Sequence, residues 1–212
     1  MKIVIFGASG KTGSLLLDEA LAKGYKVTAY VRRAGSVVQQ HTNLKVIIGN
    51  LDDTVRLKEA LVGAEACLSA LGGGSLTKHS TEIIEGIELI IKLMEHEGIK
   101  RFIYLSSIGA GSSRYFMRPV VRFLLADIFL NVPLSDHTIN EEHIMKSKLQ
   151  WTLVRPGGLT DGPITGNSFY GCEKTILKGS PKISRSNVAS FMIRQLSDTI
   201  YINKAVWLYN KP

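Results

Sequence analysis

Cysteine is scarce in this chain: Cys67 and Cys172 are the only two among 212 residues. They form no Cys-x-x-Cys pair and no disulfide framework. That argues against a thiolate metal centre and points to a reducing compartment, the cytoplasm. Both read as small, partly buried thiols. Long apolar runs are missing too. The longest, Val120 to Leu134, is broken by Arg122 and Asp127 and is too short to span a bilayer. The run Ile3 to Phe6 is too short for a signal peptide and reads as part of the fold. Basic runs stop at the pairs Arg32-Arg33 and Lys100-Arg101, and aromatics make up 8% of residues. Without a basic stripe interleaved with aromatics, nucleic acid is not an expected partner. The formal net charge of +8 is read as solvated surface plus attraction for a phosphorylated ligand. No metal site is expected, because His137 and His143 lie six apart and fall off a common helical face. No repeat divides the chain, so a single domain over residues 1–212 is expected.

What is present concentrates in the first thirteen residues. Ile3 to Phe6 predicts a buried strand, Gly7, Gly10 and Gly13 follow, and Leu15, Leu16, Leu17 and Leu21 begin a helical apolar face. A strand running through a glycine-rich turn into a helix N-terminus suits an anionic phosphate. The first-turn N–H groups point out of the helix end, and the helix dipole favours negative charge there. Gly7 permits the turn, Gly10 lets a pyrophosphate approach, and Gly13 lets the helix pack on the sheet. The spacing is G-x-x-G-x-x-G. Gly10-Lys11-Thr12 resembles a Walker A end, but Ile5 stands where that motif needs its first glycine.

Further along, Gly24 is an expected helix stop and Lys26 to Val31 a second strand, ending Tyr30-Val31-Arg32-Arg33. An acidic residue at that strand end would suit NAD. Two arginines suit a 2′-phosphate and hence NADP(H) over NAD(H). A third strand, Leu44 to Ile48, precedes a helix around Val55 to Leu61 that Asp52 or Asp53 can cap. Asn50 and Leu51 are placed near an adenine ring. The fourth strand, Ala64 to Leu71, ends in Gly72-Gly73-Gly74, small residues over which a cofactor can lie. Ile83, Ile84, Ile87, Ile90, Ile91 and Met94 give the helix Thr81 to Glu97 a core face. Strands Arg101 to Ser106 and Trp151 to Val154 end in Ser106-Ser107 and in Arg155-Pro156-Gly157. Ligands of open parallel sheets bind beyond such ends. A helix over Ser184 to Leu196, with Val188, Phe191, Met192 and Leu196 inward, and a strand Ala205 to Tyr209 close the chain. The alternation predicts an α/β fold: a three-layer, Rossmann-like, doubly wound parallel sheet. Arg114 to Leu134, with Tyr115, Phe116, Phe123 and Phe129, reads as a pocket lid, a homodimer face, a membrane-surface helix or an ordinary core helix.

Gly7-Ala-Ser9-Gly10-Lys11-Thr12-Gly13, Val31-Arg32, Leu105-Ser106-Ser107, Trp151 to Gly157 and Gly162 to Gly166 together resemble the atypical short-chain dehydrogenase/reductases. Within them the chain is similar to the NAD(P)H-binding, NmrA-like group that includes small biliverdin and flavin reductases. The resemblance implies cofactor phosphates on Gly7 to Thr12, Ser9 and Lys11 included, and a 2′-phosphate on Arg32. It implies adenine near Asn50 and Leu51, ribose near Leu71 and Gly72, and nicotinamide near Ser106, Ser107, Pro156 and Gly157. A substrate pocket formed by segments 107–137 and 156–180 is expected.

Complete members of that group carry a Tyr-x-x-x-Lys pair that exchanges a proton. Here Pro133 and His137 stand at those two places. Hydride transfer to a flavin or quinone needs positioning more than a strong acid. Ser107 and His137 are therefore the candidate catalytic residues, Ser107 as an orienting donor and His137 as a proton donor. The leading expectation is an NADPH-dependent reductase of a flat conjugated small molecule. The rivals are a non-catalytic NADP(H)-binding redox sensor and a sugar-nucleotide epimerase or dehydratase. The short C-terminal part leaves little room for the last.

Overall fold

The computed structural model describes residues 1–72, 75–166, 168–172 and 181–210, with the backbone alone at 121 and 124–127. Five short, strongly apolar strands form the centre: β1 (Lys2–Phe6), β2 (Lys26–Val31), β4 (Ala66–Ser69), β5 (Arg101–Leu105) and β6 (Gln150–Pro156). They are buried on both faces, as parallel strands between helix layers must be. β3 (Leu44–Ile48), β8 (Ser168–Gly171) and β10 (Lys204–Asn210) complete one sheet in the order β3-β2-β1-β4-β5-β6-β10-β8. Every pairing in it is parallel except β10 with β8.

The two-residue period of β1 sorts the core. Ile3 and Ile5 face α1 (Lys11–Ala22) and α6 (Arg185–Arg194), with Leu16, Leu17, Val188, Phe191 and Met192. Val4 and Phe6 face α2 (Thr54–Leu61), α3 (Thr81–His96) and α5 (Asn131–Lys146), with Leu57, Ile87, Ile90, Met94 and Ile144. Three layers result. The strand order reverses between β2 and β4 on either side of β1, which opens a crevice beyond the carboxyl ends of those strands.

Local signals fix the helix ends. Gly24 takes φ +76°, its N–H reaches Leu21 O and the Tyr25 N–H reaches Ala20 O, a Schellman stop for α1. Asp53, not Asp52, caps α2 by accepting from the Arg56 N–H at 3.0 Å. Ser184 caps α6 through the Asn187 N–H. The α6 end is closed by Arg101, which donates to the Gln195 carbonyl from Nε at 3.0 Å and Nη2 at 2.8 Å. Burial lowers the Arg101 pKa to about 10.

Several expectations shift. Ile83 and Ile84 of α3 are half-buried rather than core, because the helix N-terminus overhangs the crevice. Leu196 lies beyond the end of α6 and is also half-buried. Residues 114–134 are no single core helix. A 3-10 turn (Gly111–Phe116) leads to one turn of α4 (Pro119–Val121), then a π-helical stretch (Arg122–Phe129), then α5. Pro119 and Pro133 each sit in a first helical turn, where the missing N–H is harmless. Two three-residue strands, β7 (Gly158–Thr160) and β9 (Lys182–Ser184), pair in parallel beside the crevice. Their length and mixed composition carry no sequence period. Residues 73 and 74 of the glycine triplet, and 173–180 of the expected pocket segment, lie outside the described residues.

Candidate active site

The glycine turn after β1 is built as close approach demands. Gly7 has φ +79°, and a Cβ there would lie 2.9 Å from the Ala70 carbonyl carbon and oxygen. A Cβ at Gly13 would overlap the Gly7 carbonyl oxygen, so only glycine lets α1 sit this close to the turn. Gly10 differs. Its φ of −79° suits any residue, and a Cβ would meet only Gly7 O, at 3.4 Å. It is the N-cap of α1, yet no side chain caps the helix and its first turn holds no acid. The Gly10 N–H is spent on Gly7 O at 3.0 Å. The amides of the following turn are the ones an anion would meet, with the dipole in its favour.

Two cavities meet over this turn. The smaller, about 190 Å³, is lined by Gly7, Ser9, Gly10 and Ser36, by Tyr30 to Arg33, and by Leu51, Glu82 and Ile83. The larger, about 760 Å³, takes in Gly10 to Thr12, Leu105 to Ile108, His137 and Pro156 to Leu159, with Pro181 and Arg185. Ala70, Leu71 and Gly72 line both, so one crevice crosses the strand ends. Its length, its glycine floor and cations at one end fit a dinucleotide.

At the small end, Arg32 reaches Glu82 through Nη1 at 3.5 Å, a long and exposed pair that holds little energy. Leu51 is buried and forms part of the floor. Asn50 is not brought into the lining. Its carbonyl instead accepts from the Tyr30 hydroxyl at 2.6 Å, which pins the loop after β3 from below. Burial, then Asp53 and Asp52, pushes the Tyr30 pKa up to about 12, so it remains a donor.

The large end holds the titratable chemistry. Ser107 and His137 both line it, from the end of β5 and the second turn of α5. Among the described residues Ser107 Oγ makes a single, local bond, to Ile108 O at 3.1 Å, which a ligand can replace. His137 Nδ1 is 2.9 Å from the Tyr104 hydroxyl, and Asn140 Nδ2 donates to that same hydroxyl at 3.0 Å. With the amide as donor, the phenol proton goes to Nδ1 and the imidazole carries its proton on Nε2. Burial lowers the His137 pKa, only partly opposed by Glu141 and Asp136, so the ring is neutral at pH 7. Burial pushes the Tyr104 phenol up, so it stays protonated.

Beneath lies a buried ion pair that sequence reasoning did not find. Glu141 accepts from Arg155 Nε at 2.8 Å, from Nη2 at 2.6 Å and from Ser106 Oγ at 2.7 Å. Ser106 therefore touches the cavity but has its hydroxyl committed to Glu141. Arg155 also donates to Ser112 Oγ at 3.1 Å. On the far side of His137, Asp136 takes His79 Nδ1 at 2.5 Å and the Ser80 N–H at 2.8 Å, tying the approach to α3 onto α5. Tyr104, Asn140 and Glu141 fall on a strand and a helix with no spacing rule linking them. The buried side of α5 gives no cue either, since Asp136, Asn140 and Glu141 share it with Leu134 and Ile144.

The family model described as NAD(P)H-binding matches residues 7–199. A chloroplastic protein of Arabidopsis thaliana is 28% identical over 206 residues, covering 92% of this chain and 71% of its own. ChuY of Escherichia coli O157:H7, an anaerobillin reductase, superposes with a TM-score of 0.81 at 24% identity, covering 100% of both chains. A short-chain dehydrogenase/reductase of Veillonella parvula, solved in complex with NADP, gives 0.83 at 19% identity, covering 100% of this chain and 94% of its own. These structures share the Rossmann-like fold. With that model matched across most of its length, the chain belongs to the NAD(P)H-binding family.

Proposed function

We propose that this protein is an NADPH-dependent reductase of flat, conjugated acceptors such as a flavin or a quinone. The observation that carries it is the imidazole of His137, held by Tyr104 at one ring nitrogen, in the wall of a roughly 760 Å³ cavity. When bound, NADPH supplies a hydride at its nicotinamide. The chain's own residues do the rest. Amides after Gly10 bind the phosphates, with Ser9, Lys11 and Thr12 alongside. Arg32, with Arg33 and Ser36, takes the 2′-phosphate, and this supports NADPH over NADH. Leu51 and Ile83 sandwich the adenine, and Leu71 and Gly72 underlie a ribose. Ser107, Pro156 and Gly157 seat the nicotinamide against the cavity. The acceptor pocket is formed by the described parts of segments 107–137 and 156–180, among them Ser107, Met117, Leu134, His137 and Pro156 to Leu159, and the cytoplasm is the proposed location.

Hydride arriving on a conjugated ring spreads its charge over several atoms. The developing anion therefore needs an oriented hydrogen bond rather than a strong acid. His137 supplies it from Nε2–H, and Ser107 Oγ can supply a second. This accounts for a site that works without the Tyr-x-x-x-Lys pair. The rival reading, a non-catalytic redox sensor, rests on that missing pair alone. A held donor in an acceptor-sized cavity favours turnover. The deciding experiment is NADPH oxidation with a panel of flavins, quinones and bilins. Oxidation with at least one acceptor, weakened by His137→Ala, is expected. Tight NADPH binding with no oxidation by any acceptor would favour the sensor.

A further inference from the structure

Arg185 opens α6, and its side chain, 19% exposed, lines the large cavity together with Gly10, Lys11 and Thr12. It also lines an adjoining cavity of about 320 Å³ with Lys11, Ser14 and Leu15, so it stands beside the first turn of α1. Among the described residues no acid lines the large cavity. The loop facing Arg185 is fastened in place. Ser186 Oγ donates to the Gly162 carbonyl at 2.8 Å and Ser184 Oγ to that of Pro163 at 3.1 Å. Asn187 exchanges two hydrogen bonds with Thr165, both at 3.0 Å. These bonds tie loop 161–165 to the start of α6 and fix where Arg185 emerges. We propose, resting on the cofactor reading above, that Arg185 is a further cofactor-binding residue: its guanidinium takes a phosphate oxygen of the pyrophosphate held at the α1 N-terminus.

Arg185 has a partner, which the pyrophosphate would replace. Its Nη1 donates to Asp161 Oδ1 at 2.7 Å. That carboxylate is 77% exposed, so the pair holds little energy and its release costs little. The guanidinium carries further N–H groups in a fixed fork, and the fork matches phosphate oxygens better than a point charge does. Within the crevice it would meet an anion already favoured by the α1 amides and dipole, partly screened from bulk water, where charge-assisted bonds are stronger. Asp161 keeps the guanidinium oriented until the cofactor arrives and then yields it. Arg185 is absent from the lining of the small cavity, where Arg32 and Arg33 stand, so its contribution does not depend on the 2′-phosphate.

Calorimetric titration of the full chain with NADPH, NADH and ADP-ribose tests this without any turnover. All three ligands carry the pyrophosphate, and only NADPH carries the 2′-phosphate. Arg185→Gln should weaken each of them roughly tenfold, the size of one lost charge-assisted hydrogen bond, and leave the NADPH-to-NADH affinity ratio unchanged. Arg185→Lys should recover part of that loss. Asp161→Asn removes the competing anion and should tighten all three about twofold to threefold. Each variant should keep the wild-type melting temperature, because the pair is exposed on its acidic side. An Arg185→Gln protein that binds ADP-ribose as tightly as wild type overturns the proposal. So does a loss confined to NADPH, which would put the guanidinium at the 2′-phosphate. An Asp161→Asn protein as weak as Arg185→Gln also overturns it, because the pair would then serve only to fasten the loop. Wild-type protein that binds none of the three ligands removes the cofactor reading itself.

Discussion

The Tyr104 hydroxyl stands 2.9 Å from Nδ1 of His137, and the Asn140 amide, 3.0 Å away, sets which of them donates. A strand residue thereby fixes the tautomer of a helix residue across the pocket floor. Removing the ring that faces the acceptor, by His137→Ala, should lower kcat by roughly 100-fold, the usual size of one lost hydrogen-bond donor to a developing anion. Tyr104→Phe keeps the shape but frees the tautomer, and a drop of about tenfold in kcat with little change in KM is expected. Steady-state kinetics on the two variants checks both.

The protonation state has its own signature. His137 is held below the ordinary histidine value of about 6.5 by burial. Its folded value being depressed, the stability it contributes is complete above about 6.5 and is lost as pH falls through the lower folded value. Thermal melts should show wild-type protein losing stability on acidification below pH 6.5 and His137→Gln losing less. Activity should stay level from pH 6.5 to 8. A rate falling tenfold per unit over that range would mean that imidazolium, not imidazole, is the working form.

Arg32 and Glu82 oppose each other at the adenosine end, 3.5 Å apart. Arg32→Ala should weaken NADPH roughly tenfold and leave NADH nearly unchanged, as loss of one exposed charge-assisted hydrogen bond implies. Glu82→Gln should strengthen NADPH slightly by removing a competing anion. Parallel titrations with both nucleotides measure the ratio. Equal affinities in the wild type would remove Arg32 from its assigned role.

Glu141 and Arg155 are fully enclosed and answer each other with two hydrogen bonds. Glu141→Ala leaves the guanidinium buried without its anion, a loss of about 3–5 kcal/mol. Urea denaturation should show the midpoint fall sharply. A variant as stable as wild type would show that water or a neighbour replaces the carboxylate.

Much of this molecule is legible before folding. The run Ile3 to Phe6, the glycines after it and the arginines after Val31 are local signals, and they place the crevice and its cationic end. The doubly wound parallel sheet follows from the alternation of strand and helix, whereas the antiparallel β8 at its edge does not. What escapes is contact between distant residues. Nothing in the spacing of Tyr104, His137 and Asn140 states that β5 and α5 bring them together, and Glu141 finds Arg155 only through tertiary packing. The stretch 111–130 defeats a periodicity reading because it mixes 3-10, α and π turns within twenty residues. Asn50 shows the limit of position alone: its place in the chain suits an adenine contact, while in the fold its carbonyl is engaged by Tyr30 and the residue is not part of the cavity lining.

The central claim is that the α1 N-terminus holds the cofactor's phosphates, and Gly10→Asp tests it most directly. The backbone at Gly10 accepts a side chain, and aspartate is a favoured N-cap, so the variant should melt at or above the wild-type temperature. Its carboxylate would occupy the anion position and repel the pyrophosphate. Calorimetric titration with NADPH should therefore show wild-type binding and at least a hundredfold loss in a folded Gly10→Asp protein. A folded variant that binds NADPH as tightly as wild type would contradict the account.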